Sequence, residues 1–178
     1  VNALANSTVG EFLNANCVSS FQKIGTFQIQ GDQKQGGNVA SYFTTPNGRV
    51  LHVIAGPVNA DTLLREARWV TETYKLAMLE SKGDLNRFKE IFRRAHADRL
   101  RQDHGLNIDP SVLPSSGSSP AMMTVLLGKM ANQKALGKQA QVHILLTAAP
   151  LAKIEQIYKV VFENILGEKV STNPVVKT

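Results

Sequence analysis

One cysteine, four histidines and a run of arginines are the residues of this 178-residue sequence whose types lend themselves to chemistry. Cys17 is the only thiol, so it cannot close a disulfide within the chain. A nucleophilic thiolate needs a neighbouring base or a helix N-terminus. Cys17 instead follows the C-terminal end of an expected helix over Ser7–Ala15, where the helix dipole disfavours negative charge. It is expected to be a small hydrophobe where helix passes into strand.

The histidines are His52, His96, His104 and His143. His96 and His104 stand eight residues apart with Asp98, Asp103 and Asp109 nearby. On a continuous helix they would share one face two turns apart, about 12 Å, too far for one ion. The i,i+4 pairing of helical zinc signatures is absent. His96 and His104 are therefore expected at the solvated surface, and His52 facing outward from a strand. No metal and no cofactor is expected.

Between Lys82 and Arg101 seven basic residues face three acidic ones, within a net charge of +6. Lys129, Lys134 and Lys138 add a second basic stretch. Arg87, Lys89, Arg93, Arg94, Arg99 and Arg101 are the candidate anion- or nucleic-acid-binding set, since phosphate contacts need clustered cations. No aromatic residue is interleaved on the polar side, which limits the expectation to weak, sequence-independent binding. The Gly36-Gly37 pair precedes a strand rather than a helix, the reverse of a phosphate-cradling loop. No Gly-x-Ser-x-Gly elbow and no suggestive carboxylate pair occurs, so an enzyme is the less favoured class.

The elements that must position these residues follow from periodicity. Val9, Phe12 and Leu13 form one face of the first helix, with Ser7 as its cap. Cys17–Ile24 and Thr26–Ile29 read as extended, followed by the polar, glycine-rich crossing from Gln30 to Gly37. Val39–Thr44 and Val50–Ala55 flank Thr45-Pro46-Asn47-Gly48, a hairpin signal because Asn and Gly tolerate positive φ. Leu63, Ala67, Val70, Tyr74 and Ala77 recur at helical spacing, with Trp69 near the edge of the stripe. Asp84 caps the basic helix, which buries Leu85, Phe88, Ile91, Phe92, Ala95 and Leu100 and turns its arginines to water. Residues 103–120 are rich in Pro and Ser and read as a linker, and Ala121–Ala135 as a helix. Val142–Thr147 suits either helix or strand, and Pro150 opens a last amphipathic helix that Gly167 closes. No apolar run approaches the ~20 residues of a membrane span, and the first residues lack the basic start and apolar core of a signal peptide.

Val9-Gly10-Glu11-Phe12-Leu13-Asn14-Ala15-Asn16-Cys17-Val18, then Thr45-Pro46-Asn47-Gly48-Arg49-Val50-Leu51 and Gly56, resemble the later part of a thioredoxin-like domain. The resemblance covers residues 7–80 and implies a sheet-and-helix core. Two departures accompany it. The Cys-x-x-Cys helix would precede Val9, and the position of the family's cis-proline holds Gly36-Gly37-Asn38-Val39.

The expected fold is α/β, a thioredoxin-like core that is incomplete or rearranged, with a helical C-terminal extension. Its expected parts are the core at 1–82, the basic helix at 83–102, the linker at 103–120 and a mostly helical region at 121–178. If Val142–Thr147 is a strand, it and the helix after it would fill the empty slot beside Val39–Thr44, within the chain or exchanged between two copies. The expected role is a non-catalytic interaction or scaffold module with a protein partner or a second copy, away from membranes. The alternatives are a fragment of a thiol–disulfide oxidoreductase whose Cys-x-x-Cys lies upstream of Val1, and weak nucleic-acid binding through the basic helix.

Overall fold

A computed structural model describes residues 3–22, 28–30, 33–35, 38–109 and 136–170. The chain is mixed α/β, and its described strands form two separate antiparallel pairs. Strand β1 (Gln28–Gln30) falls at the end of the expected extended segment Thr26–Ile29 and pairs with β2 (Gln33–Gln35), which lies within the expected polar crossing. Strands β3 (Ala40–Thr44) and β4 (Val50–Ala55) form the expected hairpin. Gly48 takes φ 76° in its turn, a left-handed value open to glycine at little cost, and its N–H donates to the Thr45 carbonyl at 2.9 Å.

Helix α1 (Ser7–Asn16) is capped by the Asn6 side chain rather than by Ser7, and it buries Val9 against Ile54 and Leu63. Helix α2 (Ala60–Ser81) starts at Asn59, whose side chain accepts the Thr62 N–H at 2.8 Å. The left-handed pair Lys82 and Gly83 ends it, and Asp84 caps α3 (Leu85–His104), which stops at left-handed Gly105. No described helix is long and apolar enough to cross a membrane.

Two late elements differ from expectation. Val142–Thr147 lies inside a helix, α4 (Lys138–Ala148), so the strand that was to complete a sheet beside Val39–Thr44 is not formed. Every residue from Val142 to Leu151 is buried, so the run carries no alternation of buried and exposed positions to separate helix from strand. Pro150 does not open the last helix either. Leu151 adopts φ 57°, and α5 (Ile154–Val160) begins three residues later, running into a π-helical turn at Val161–Ile165. The cause is a backbone clasp on the hairpin: the Val50 N–H donates to the Ala152 carbonyl and the Ile154 N–H to the Gly48 carbonyl, at 2.9 and 3.0 Å. Residues 110–135, including most of the expected linker and the Ala121–Ala135 helix, lie outside the described residues.

Strand β4 organises the core. Val50 and Val53 pack with α4, α5 and Leu100; Leu51 packs with Val70, Phe88, Phe92 and Leu151; Ile54 packs with Val9 and Leu63. A strand covered on both faces buries its odd and even side chains alike. That burial draws His52 into the interior.

Candidate metal centre

His52 comes from β4, His96 from the middle of α3 and His143 from α4. All three are buried, with relative exposures of 0%, 1% and 0%. This corrects the outward orientation expected for His52 and the solvated surface expected for His96. The α3 stripe of Phe88, Phe92, His96 and Leu100 advances by four residues per step, so His96 stands in the apolar row, not on the charged face. His104 is exposed, as expected.

One ring nitrogen from each buried histidine lies within 4.8 Å of the other two. Ring centroids are 5.1 Å apart for His96–His143, 5.3 Å for His52–His143 and 5.7 Å for His52–His96. Two imidazoles on one tetrahedral ion, with metal–nitrogen bonds of ~2.0–2.1 Å, have centroids about 5.2 Å apart and nitrogens about 3.4 Å apart. The rings already stand at the separation an ion requires.

Hydrogen-bond partners decide which nitrogens are free. His96 Nε2 lies 2.9 Å from the Leu51 carbonyl, which can only accept, so that nitrogen carries the proton and Nδ1 is bare. His143 Nδ1, 2.9 Å from His96 Nδ1, then donates to it. His52 Nε2 lies 3.3 Å from Glu66 Oε2 and donates to that carboxylate, leaving Nδ1 bare. His52 Nδ1 and His143 Nε2 are buried without a hydrogen-bond partner among the described residues. A histidine whose outer N–H is held by a carboxylate or a carbonyl is the arrangement found behind metal-bound imidazoles. His52 with Glu66, and His96 with Leu51, both have it.

Glu66, from α2, is only 2% exposed. Arg99 Nη2 donates to its two oxygens at 2.8 and 3.0 Å, and Arg65 donates to Oε1. Burial by itself would raise the Glu66 pKa. The His52 hydrogen bond and charge, the Arg99 charge and the Arg65 hydrogen bond outweigh burial and hold it at about 2. All three histidines are pushed down, first by burial. His96 falls to about 3, with the His52 charge the next cause and the Leu51 hydrogen bond opposing. His52 is lowered against the pull of Glu66, and His143 is lowered further by the charges of His96 and His52. The shift at each ring favours the neutral form, the state a metal ligand needs. Trp69 closes one side, its ring 5.0 to 5.9 Å from the three imidazoles and stacked by Arg99 at 4.9 Å.

The basic set expected on the surface of α3 is divided by these contacts. Arg93 is buried and pairs with Glu90, as does exposed Arg94. Arg99 turns inward to Glu66 and also meets Asp103, and Arg101 pairs with Asp98. Arg87 is exposed and Lys89 half-buried, so the six differ in exposure as well as in pairing. Cys17 follows the end of α1, half-buried, and burial raises its pKa, which works against a thiolate. The three histidines are far apart in the chain, so the spacing of His96 and His104 carries no sign of the cluster that His52, His96 and His143 form. The available sequence signal was a histidine inside each of two apolar runs, Val50–Ala55 and Val142–Leu146.

No family model, no curated protein and no solved structure matches this chain.

Proposed function

We propose that the chain is a metal-binding α/β domain in which His52, His96 and His143 hold one first-row transition ion such as Zn²⁺, Co²⁺ or Cu²⁺. The observation that carries this is the convergence of three buried, neutral imidazoles, two of them with the outer N–H tied to Glu66 and to the Leu51 carbonyl. A purely structural core would fill this volume with apolar groups. Here it holds lone pairs that cost about 1–3 kcal/mol each when left unmet. An all-imidazole donor set suits zinc, copper and nickel and is a poor match for calcium or magnesium.

The ion's role is structural. Its ligands join β4, α3 and α4, and the rings are closed off from solvent, which leaves a substrate no approach. The domain then serves as the non-catalytic scaffold module expected from the sequence, stapled by metal rather than by a disulfide.

Titrating the chelator-stripped chain with Co²⁺ or Zn²⁺ tests this. One ion per chain is expected by equilibrium dialysis. Bound Co²⁺ is expected to quench Trp69, the single tryptophan, while Ca²⁺ and Mg²⁺ leave it unchanged. Glu66→Gln keeps the shape and should weaken binding by about 10–100-fold, the usual cost of losing an outer partner. His96→Ala should weaken it more. A stripped chain that retains no Co²⁺ or Zn²⁺ at millimolar concentration overturns the proposal.

A further inference from the structure

A buried ion needs a way in, and for a chain of net charge +6 long-range attraction does not draw a cation to it. His104 is the fourth histidine and the only exposed one. It ends α3, and its ring centroid lies 6.0 Å from that of His143, the planes inclined by 47°. Two imidazoles sharing an ion at ~2.0–2.1 Å have centroids between about 5.2 Å, at a tetrahedral angle, and about 6.4 Å, when opposed. The His104–His143 pair falls within that range.

His143 is the ring common to both groups. Its Nδ1 meets His96, while its Nε2 is buried and has no hydrogen-bond partner among the described residues. A lone pair kept bare in a protein interior calls for a ligand. His104 is the exposed imidazole whose ring lies next to that of His143. Its place two helical turns beyond His96 keeps His104 out of the inner set and at the solvent boundary.

We infer that His104 and His143 form an outer, two-nitrogen loading station for the ion bound in the centre, an inference that rests on the metal-binding reading above. The ion is captured from solvent between His104 and His143 Nε2. A turn of the His143 ring then carries it to His52 and His96, and His104 lets go. The step is an exchange of ligands: no covalent bond in the protein forms or breaks and no electron moves, while the His143 Nδ1–H gives up its hydrogen bond to His96 Nδ1, whose lone pair then turns to the ion. His104 therefore governs how fast the ion enters and leaves, and leaves the equilibrium affinity almost unchanged.

The test is stopped-flow loading of the stripped chain with Co²⁺, read by Trp69 quenching, and unloading into excess EDTA, for the wild type and for His104→Ala. His104 is exposed at a helix end, so the variant is expected to fold. The loading rate constant is expected to fall at least tenfold, the unloading rate to fall in parallel, and the affinity to stay within about twofold. A loading rate within twofold of wild type overturns the inference. So does a faster unloading rate with weaker affinity, which would make His104 a resident ligand. If wild type takes up no Co²⁺ at all, the metal-binding reading itself has failed, which this experiment distinguishes from failure of the station alone.

Discussion

Replacing Glu66 by leucine is expected to destabilise the ion-free protein by about 3 kcal/mol, at the lower end of the range for breaking a buried ion pair. The substitution leaves Arg99 facing the interior without its carboxylate and removes the acceptor of the His52 N–H. Arg99 retains Asp103 as a partner, which is why the lower end applies. Removing both charges in Glu66→Leu with Arg99→Met should recover much of the loss, because no unpaired charge is then left inside. Urea unfolding of the two variants measures this. A loss below about 1 kcal/mol in the single variant would mean that the pair is effectively solvated and does not organise the centre.

The second large effect is on acid stability. With a chelator present, burial favours the neutral form of His52, His96 and His143 in the folded protein, helped by the Arg99 charge and opposed by Glu66 at His52 and by the Leu51 carbonyl at His96. Unfolded histidines titrate near pH ~6.5. Above that pH neither state holds the extra protons, and stability is at its full value. As the pH falls through ~6.5 the unfolded chain takes up protons that the folded chain refuses, so stability drops. His96 goes on losing stability down to its folded value of about 3. Each such histidine contributes a slope of about 1.4 kcal/mol per pH unit across its window. Glu66, held at about 2 against a usual 4.5, adds to the loss only below about pH 4.5. Unfolding free energy measured from pH 8 to 4 should therefore fall steeply below pH 6.5, and the His96→Phe variant should fall less steeply. A flat profile between pH 7 and 5 would contradict the buried, neutral assignment.

The sequence made the local structure legible and left the centre hidden, for one physical reason. Turns and caps are encoded by neighbours: Pro46-Asn47-Gly48 sets the hairpin, and Asn59 and Asp84 open their helices through their own side chains. The α2 stripe likewise lies in a single period, and Leu63, Ala67, Val70 and Ala77 are buried as expected. Burial of β4 depends instead on three separate groups of partners, so alternation within the strand misassigned His52. His96 has His104 as its neighbour in sequence, whereas its partners in space are His143, 47 residues later, and the Leu51 carbonyl, 45 residues earlier. In α4 the residues from Val142 to Ala148 are buried on all sides, so neither the element type of Val142–Thr147 nor the role of His143 had a periodic signature.

The most direct measurement is X-ray absorption at the zinc edge of the Zn²⁺-loaded chain. A shell containing three imidazole nitrogens at about 2.0 Å is the expected result, with one imidazole fewer in His143→Ala. A shell of oxygens alone, or a spectrum that loses no imidazole when His52, His96 or His143 is replaced, would contradict the account.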